Sequence, residues 1–194
     1  MSADGERELT EVESDAPQAV ALARRTEPVR YVCLHHWGGH TPTTREGMLA
    51  EARAQGYADI PYHYVILPDG AIITGRPLWA KSAAQLGLNH CAIGVCFAGN
   101  FDQADNPGGA RGKPTHPTDA QLASAGALWA QLKHEHPQAQ LIEHRDVARV
   151  VRDPSVATAC PGSRWEAERC GRVVQLVAGG LSVPDARTRA REQR

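Results

Sequence analysis

Short apolar segments alternate with helix-length stretches along this chain, and that alternation leaves few folds open. Residues 29–35 (VRYVCLH) are β-branched and apolar and run into a histidine pair and glycines, which predicts a strand. Residues 44–55 place Met48, Leu49 and Ala52 on one face with charges opposite, the pattern of a helix. Residues 62–67 (YHYVIL), the turn Pro68-Asp69-Gly70 and residues 71–74 predict a hairpin. Residues 92–98 (AIGVCFA) predict a buried strand, and residues 99–117, polar and rich in glycine and proline, a long loop. Thr118 with Gln121 three positions on forms a capping-box pattern, opening a helix that stops near His136 before Pro137. Residues 139–143 form a last strand, and a final helix spans about 163–177. The order β, α, β-hairpin, β, α, β, α predicts an α/β single domain with a central mixed sheet flanked by helices. Residues 1–27 read as a polar arm or short helix, 28–177 as the domain, and 178–194 as a polar, arginine-rich tail that frays.

Three groups stand at the ends of these elements. His35 ends the first strand, His144 follows the last, and Cys160 precedes the final helix. Imidazole and thiolate are the commonest zinc ligands, and three protein ligands leave the fourth tetrahedral position for water. Each residue alone also has a plain reading, a hydrogen-bonded histidine or a packed thiol.

The segments V-C-L-H-H-W, Y-H-Y-V-I-L-P-D-G-A-I-I-T-G-R-P, N-H-C-A-I-G-V-C-F-A-G-N-F-D, E-H-R-D-V and T-A-C-P-G occur in this order. Together they resemble the type 2 N-acetylmuramoyl-L-alanine amidases, the family of phage T7 lysozyme-like endolysins and peptidoglycan recognition proteins. The resemblance covers about residues 28–177. It implies one zinc ion per chain, held by His35, His144 and Cys160 in a cleft at the strand ends. It further implies Tyr62 beside the reacting water and Thr158, two residues before the ligand cysteine, as an aid to the transition state. The implied reaction is hydrolysis of the amide between N-acetylmuramic acid and L-alanine in bacterial peptidoglycan. Without the resemblance, Tyr62 is equally a strand aromatic and Thr158 a loop hydroxyl.

Adjacent strand side chains face opposite ways, so His36 and His63 should point away from the cleft that His35 and Tyr62 face. Trp37 and Asn89 are candidates for the substrate groove, although Trp37 is equally a packing residue. Two departures from the family pattern matter. The interval between His144 and Cys160 is longer than usual, which implies an inserted loop beside the metal. Ala83 or Ala84 stands where several relatives carry a histidine.

Composition narrows the function classes. Lysine plus arginine (21) balance aspartate plus glutamate (22), so no basic field for nucleic acid exists. No run is apolar enough to span a bilayer, and the acidic N-terminus lacks the form of a signal peptide. Five cysteines without a C-x-x-C pair favour free thiols over a disulfide framework. The expectation is a monomer that is cytoplasmic on synthesis and reaches the wall after release, as an endolysin does. The alternative is a non-catalytic peptidoglycan recognition module.

Overall fold

The computed structural model describes residues 22–38, 42–108 and 114–193. Five strands form one sheet: β1 (Tyr31–His36), β2 (Tyr64–Ile66), β3 (Ile72–Thr74), β4 (Ala92–Phe97) and β5 (Gln140–Glu143), in the order β3-β2-β4-β1-β5. β1 runs parallel to both β4 and β5, β2 is parallel to β4, and only the β2–β3 hairpin is antiparallel. The sheet is therefore mixed, with helices on both faces, as the sequence predicts.

The two-residue period of β1 sorts its side chains. Val32 and Leu34 join the larger core, where α2 (Asp119–Glu135) brings Leu122, Ala125, Leu128 and Leu132, and α5 (Cys170–Ala178) brings Val173 and Val174. Cys33 and His35 take the other face. On that side α1 (Arg45–Ala54) buries Met48 in a cluster with Val65 and Cys96. β4 is buried at every position, as its uninterrupted apolar run requires of a central strand.

Local chemistry sets the helix ends. Thr44 Oγ1 accepts from Gly47 N–H at 3.1 Å and caps α1. Thr118 and Gln121 complete the predicted capping box of α2. Gln121 does more: its buried Nε2 donates to Ile66 O at 2.9 Å and Ala98 O at 3.0 Å, tying the start of α2 to the ends of β2 and β4.

Three expectations differ from the structure. The single helix over 163–177 is two, α4 (Ser163–Ala167) and α5, because Arg169 takes the left-handed conformation (φ 56°) between them. The tail expected to fray is helix α6 (Val183–Glu192), capped by Ser182 and docked through buried Val183, Ala186 and Ala190. Arg187 secures it, with Nη1 2.6 Å from Glu168 Oε2 and Nε 3.0 Å from Asp119 Oδ1. The irregular stretch after His144 folds into a 3-10 turn, α3 (Val147–Val151) and a second 3-10 turn at Pro154–Val156. The expected N-terminal arm lies outside the described residues as far as residue 21. From there the backbone pairs with residues 79–81, Arg25 N–H donating to Trp79 O and Lys81 N–H to Ala23 O.

Candidate metal centre

Parallel neighbours end at the same edge of a sheet, and ligand sites collect at the carboxyl ends of such strands. β1 and β5 are neighbours whose register ends at Leu34↔Glu143. His35 and His144, the next residues of each chain segment, therefore meet, with ring centroids 4.5 Å apart. Cys160 arrives from the loop before α4, its Sγ 3.9 Å from His35 Nδ1. One donor atom from each of the three lies within 4.8 Å of the others. The spacing suits one small cation.

The loop carrying Cys160 is built to hold that position. Arg145 N–H donates to Cys160 O at 2.9 Å, and Arg145 Nη2 donates to Gly162 O at 2.7 Å. The same guanidinium pairs with Glu166, and its Nε lies 3.1 Å from Glu143 Oε2, at ion-pair distance though without hydrogen-bond alignment. Glu143 Oε1 accepts from Trp165 Nε1 at 2.9 Å. Trp165 is fully buried, edge-on to Phe97. Gly162 is required twice: its φ is +110°, and a Cβ there would sit 2.5 Å from the carbonyl carbon of Phe101.

Burial dominates the electrostatics. It holds His35 well below the ordinary imidazole range, reinforced by neighbouring His144, and holds His144 at about 4. It pushes the Cys160 thiol up to about 12, opposed by a backbone hydrogen bond and by Arg145. The group is thus two neutral imidazoles and a thiol, with lone pairs gathered where water is scarce. A soft or borderline divalent cation compensates such a set, and this donor chemistry fits zinc.

Tyr62 lies beside the trio, its ring centroid 5.2 Å from that of His35, and burial raises its hydroxyl well above the usual phenol range. Thr158 Oγ1 accepts from Cys160 N–H at 3.2 Å. That bond uses a lone pair and leaves the hydroxyl proton free. Trp37 packs 5.8 Å from Tyr62, donates to Glu51 Oε1 at 2.9 Å, and lines a small recess with Tyr57, Pro61 and Tyr62. It is at once a packing residue and part of the wall beside the site. Asn89 stands further back, its Oδ1 accepting from Ser82 Oγ and Gln85 N–H.

His36, within β1, turns away from His35 as the strand period predicts. The strand expected over 62–67 spans only Tyr64–Ile66, so Tyr62 and His63 precede it, and backbone hydrogen bonds place His63 instead. His36 Nδ1 accepts from Phe101 N–H at 3.0 Å, and buried His63 bridges Gly94 N–H and Ala80 O. Sequence reasoning missed Gln85, whose Oε1 lies 3.1 Å from His35 Nε2. It sits in an irregular loop where no periodicity marks it. A second cluster among the described residues, Glu27, His90 and Cys91, has the right atoms for a metal. However, Arg30 Nη2 lies 2.8 Å from Glu27 and 3.5 Å from Cys91 Sγ, so a cation already serves it.

Comparison with known proteins bears on the family and the fold. Residues 25–163 match the family described as N-acetylmuramoyl-L-alanine amidase. The endolysin of Klebsiella phage KP32 is 32% identical over 116 residues, 58% of this chain and 68% of that protein. Peptidoglycan recognition protein 1 of Bos taurus is 29% identical over 138 residues, 66% of this chain and 68% of the relative. Among solved structures, the N-acetylmuramoyl-L-alanine amidase LysC from Clostridium intestinale URNW superposes with a TM-score of 0.62 at 26% identity, covering 78% of this chain and 88% of LysC. By sequence, by fold and by the length matched, this chain belongs to the N-acetylmuramoyl-L-alanine amidase family.

Proposed function

We propose that the chain is a zinc-dependent amidase of the phage-endolysin type, which hydrolyses the bond between N-acetylmuramic acid and L-alanine in bacterial peptidoglycan. One observation carries this reading: His35, His144 and Cys160 converge within 4.8 Å at the carboxyl ends of β1 and β5, with Tyr62 beside them. Zinc bound there supplies Lewis-acid activation of water and of the scissile carbonyl.

The chain's own residues supply the rest. His35 and His144, kept neutral by burial, present lone pairs, and Cys160 gives up its proton on ligation. Tyr62, still protonated at neutral pH, orients the water and relays a proton. Thr158, whose oxygen is already anchored by Cys160 N–H, points its free proton at the developing oxyanion. Trp37 forms part of the groove wall on the α1 side.

The kinship with peptidoglycan recognition protein 1 supports a second reading, a module that binds peptidoglycan without cutting it. Metal content and wall digestion, measured on the wild type and on Cys160→Ala, separate the two. The amidase reading expects about one zinc per chain, release of stem peptides with a free L-alanine amine, and loss of both in the variant. A wild type that binds purified peptidoglycan but frees no such peptide supports the recognition module and ends the amidase reading.

A further inference from the structure

We infer that Gln85 is the positioning residue for His35, holding its imidazole in the Nε2–H form so that Nδ1 presents a bare lone pair toward Cys160. This rests on the zinc reading for its purpose, but not for its geometry.

The direction of every hydrogen bond in this corner follows from one group that cannot change sign. The backbone N–H of Gln85 only donates, and it lies 3.0 Å from the Asn89 side chain, so the Asn89 atom there is its carbonyl oxygen. Ser82 Oγ, 2.9 Å from that same oxygen, must then donate its only proton to it. With that proton committed, Ser82 Oγ can only accept from Gln85, 2.6 Å away, which places the Gln85 amide nitrogen on the Ser82 side. Gln85 Oε1 is left facing His35 Nε2 at 3.1 Å, and an acceptor at that distance fixes the proton on Nε2. The amide and tautomer assignments, ambiguous for an isolated glutamine or histidine, are determined here by a backbone donor three bonds upstream.

Packing leaves the network no alternative. Gln85 is wholly buried and Ser82 nearly so, so water cannot take either partner's place. Gly94 of β4 makes the room: a Cβ there would lie 3.2 Å from Gln85 Oε1 and 3.6 Å from the Tyr62 ring. His35 Nδ1 is meanwhile the nitrogen on the Cys160 side, 3.9 Å from Sγ. A ligating imidazole whose other nitrogen donates to a fixed acceptor is oriented and made more basic, and losing that acceptor typically weakens metal binding 10–100-fold. Asn89 and Ser82 then act through Gln85 and do not touch substrate.

Two measurements test this on the full-length protein. Nitrogen-15 NMR of histidine-labelled, metal-stripped wild type should show His35 protonated on Nε2 and bare on Nδ1; the opposite tautomer overturns the inference without any substitution. Competition against a chromophoric zinc chelator then compares wild type, Gln85→Leu and Gln85→Glu. The leucine variant should lose roughly 10–100-fold in zinc affinity, and the glutamate variant should stay within about threefold of wild type. Glutamate keeps an acceptor toward Nε2, and its second oxygen draws the Ser82 proton away from Asn89 Oδ1, which still accepts from the backbone N–H of residue 85. A leucine variant that folds and binds zinc as tightly as wild type overturns the inference. So does a glutamate variant that falls as far as leucine, because shape and not the acceptor would then be at issue. If wild type itself takes up no zinc, the zinc reading fails, while the tautomer measurement still judges Gln85.

Discussion

His63 is wholly buried between two backbone groups, accepting from Gly94 N–H on Nδ1 and donating from Nε2 to Ala80 O. Burial holds its pKa at about 4, against about 6.5 in an unfolded chain. Between those values the unfolded chain binds a proton that the folded one refuses, so stability rises with pH across the window. The contribution is complete above about pH 6.5, is lost as pH falls toward 4, and amounts to roughly 3 kcal/mol over the window. Urea unfolding at pH 5 and pH 7 should show His63→Met to be less stable at pH 7 yet flatter in its pH dependence than wild type. An equal slope in both proteins would assign the acid sensitivity to other buried histidines. The placement of His36 is legible in the sequence because a strand has a period of two and its neighbours face opposite ways. His63 instead lies just before β2 and is placed by its two backbone partners, which no period announces. Gln85 was not legible. Its burial comes from a loop folded back on β4, and a polar residue in an irregular stretch carries no signal of what lies behind it.

Elements with their own end signals were read to within a residue or two. Thr44 and Thr118 announce α1 and α2 because each hydroxyl satisfies a free backbone donor of its own helix. Elements held by tertiary contact were misread. The break at Arg169 puts a non-glycine residue in the left-handed region, which no local rule predicts. α6 looked like a frayed tail because arginines dominate it, yet Val183, Ala186 and Ala190 fall on one face and dock against the core. Ending the chain after Gly180 should therefore cost about 3 kcal/mol in urea unfolding, the order expected for re-exposing one valine and two alanines with their surroundings. An unchanged midpoint would mean that α6 adds nothing to the fold's stability. The long interval between His144 and Cys160 implies, from the sequence, an inserted loop. It folds as α3 and two 3-10 turns because Val147, Val150 and Val151 join an apolar cluster that includes Leu88 and Ile142. Val151 also lies over Gly87, where a Cβ would come within 3.1 Å of its Cγ1. The insertion thus braces the loop that carries Gln85.

At the scale of the whole molecule, His35 and Cys160 are 125 positions apart, and a bound ion would join the centre of the sheet to the loop before α4. A ligand that binds only the folded state stabilises it by mass action, about 2.7 kcal/mol at a hundredfold excess over Kd. For a chain of this size that corresponds to a rise of roughly 5–10 °C in Tm. Thermal unfolding of metal-stripped protein with and without added zinc measures it, and Cys160→Ala should remove most of the rise. A wild type whose Tm ignores zinc would contradict the proposed centre. No helix among the described residues is long and apolar enough to cross a membrane.

The sheet order has a consequence in time. Among the described residues β1 is the first strand, yet it waits for both of its neighbours: Tyr31 aligns with Ala92 on one side and Gln140 on the other. Closing those distant loops costs chain entropy before any pairing rewards it, which places folding toward the slow end for a mixed α/β chain. During synthesis the strand bearing His35 leaves the ribosome before either neighbour and stands with both edges open. It gains its first partner only when β4 has emerged, and its second only with β5.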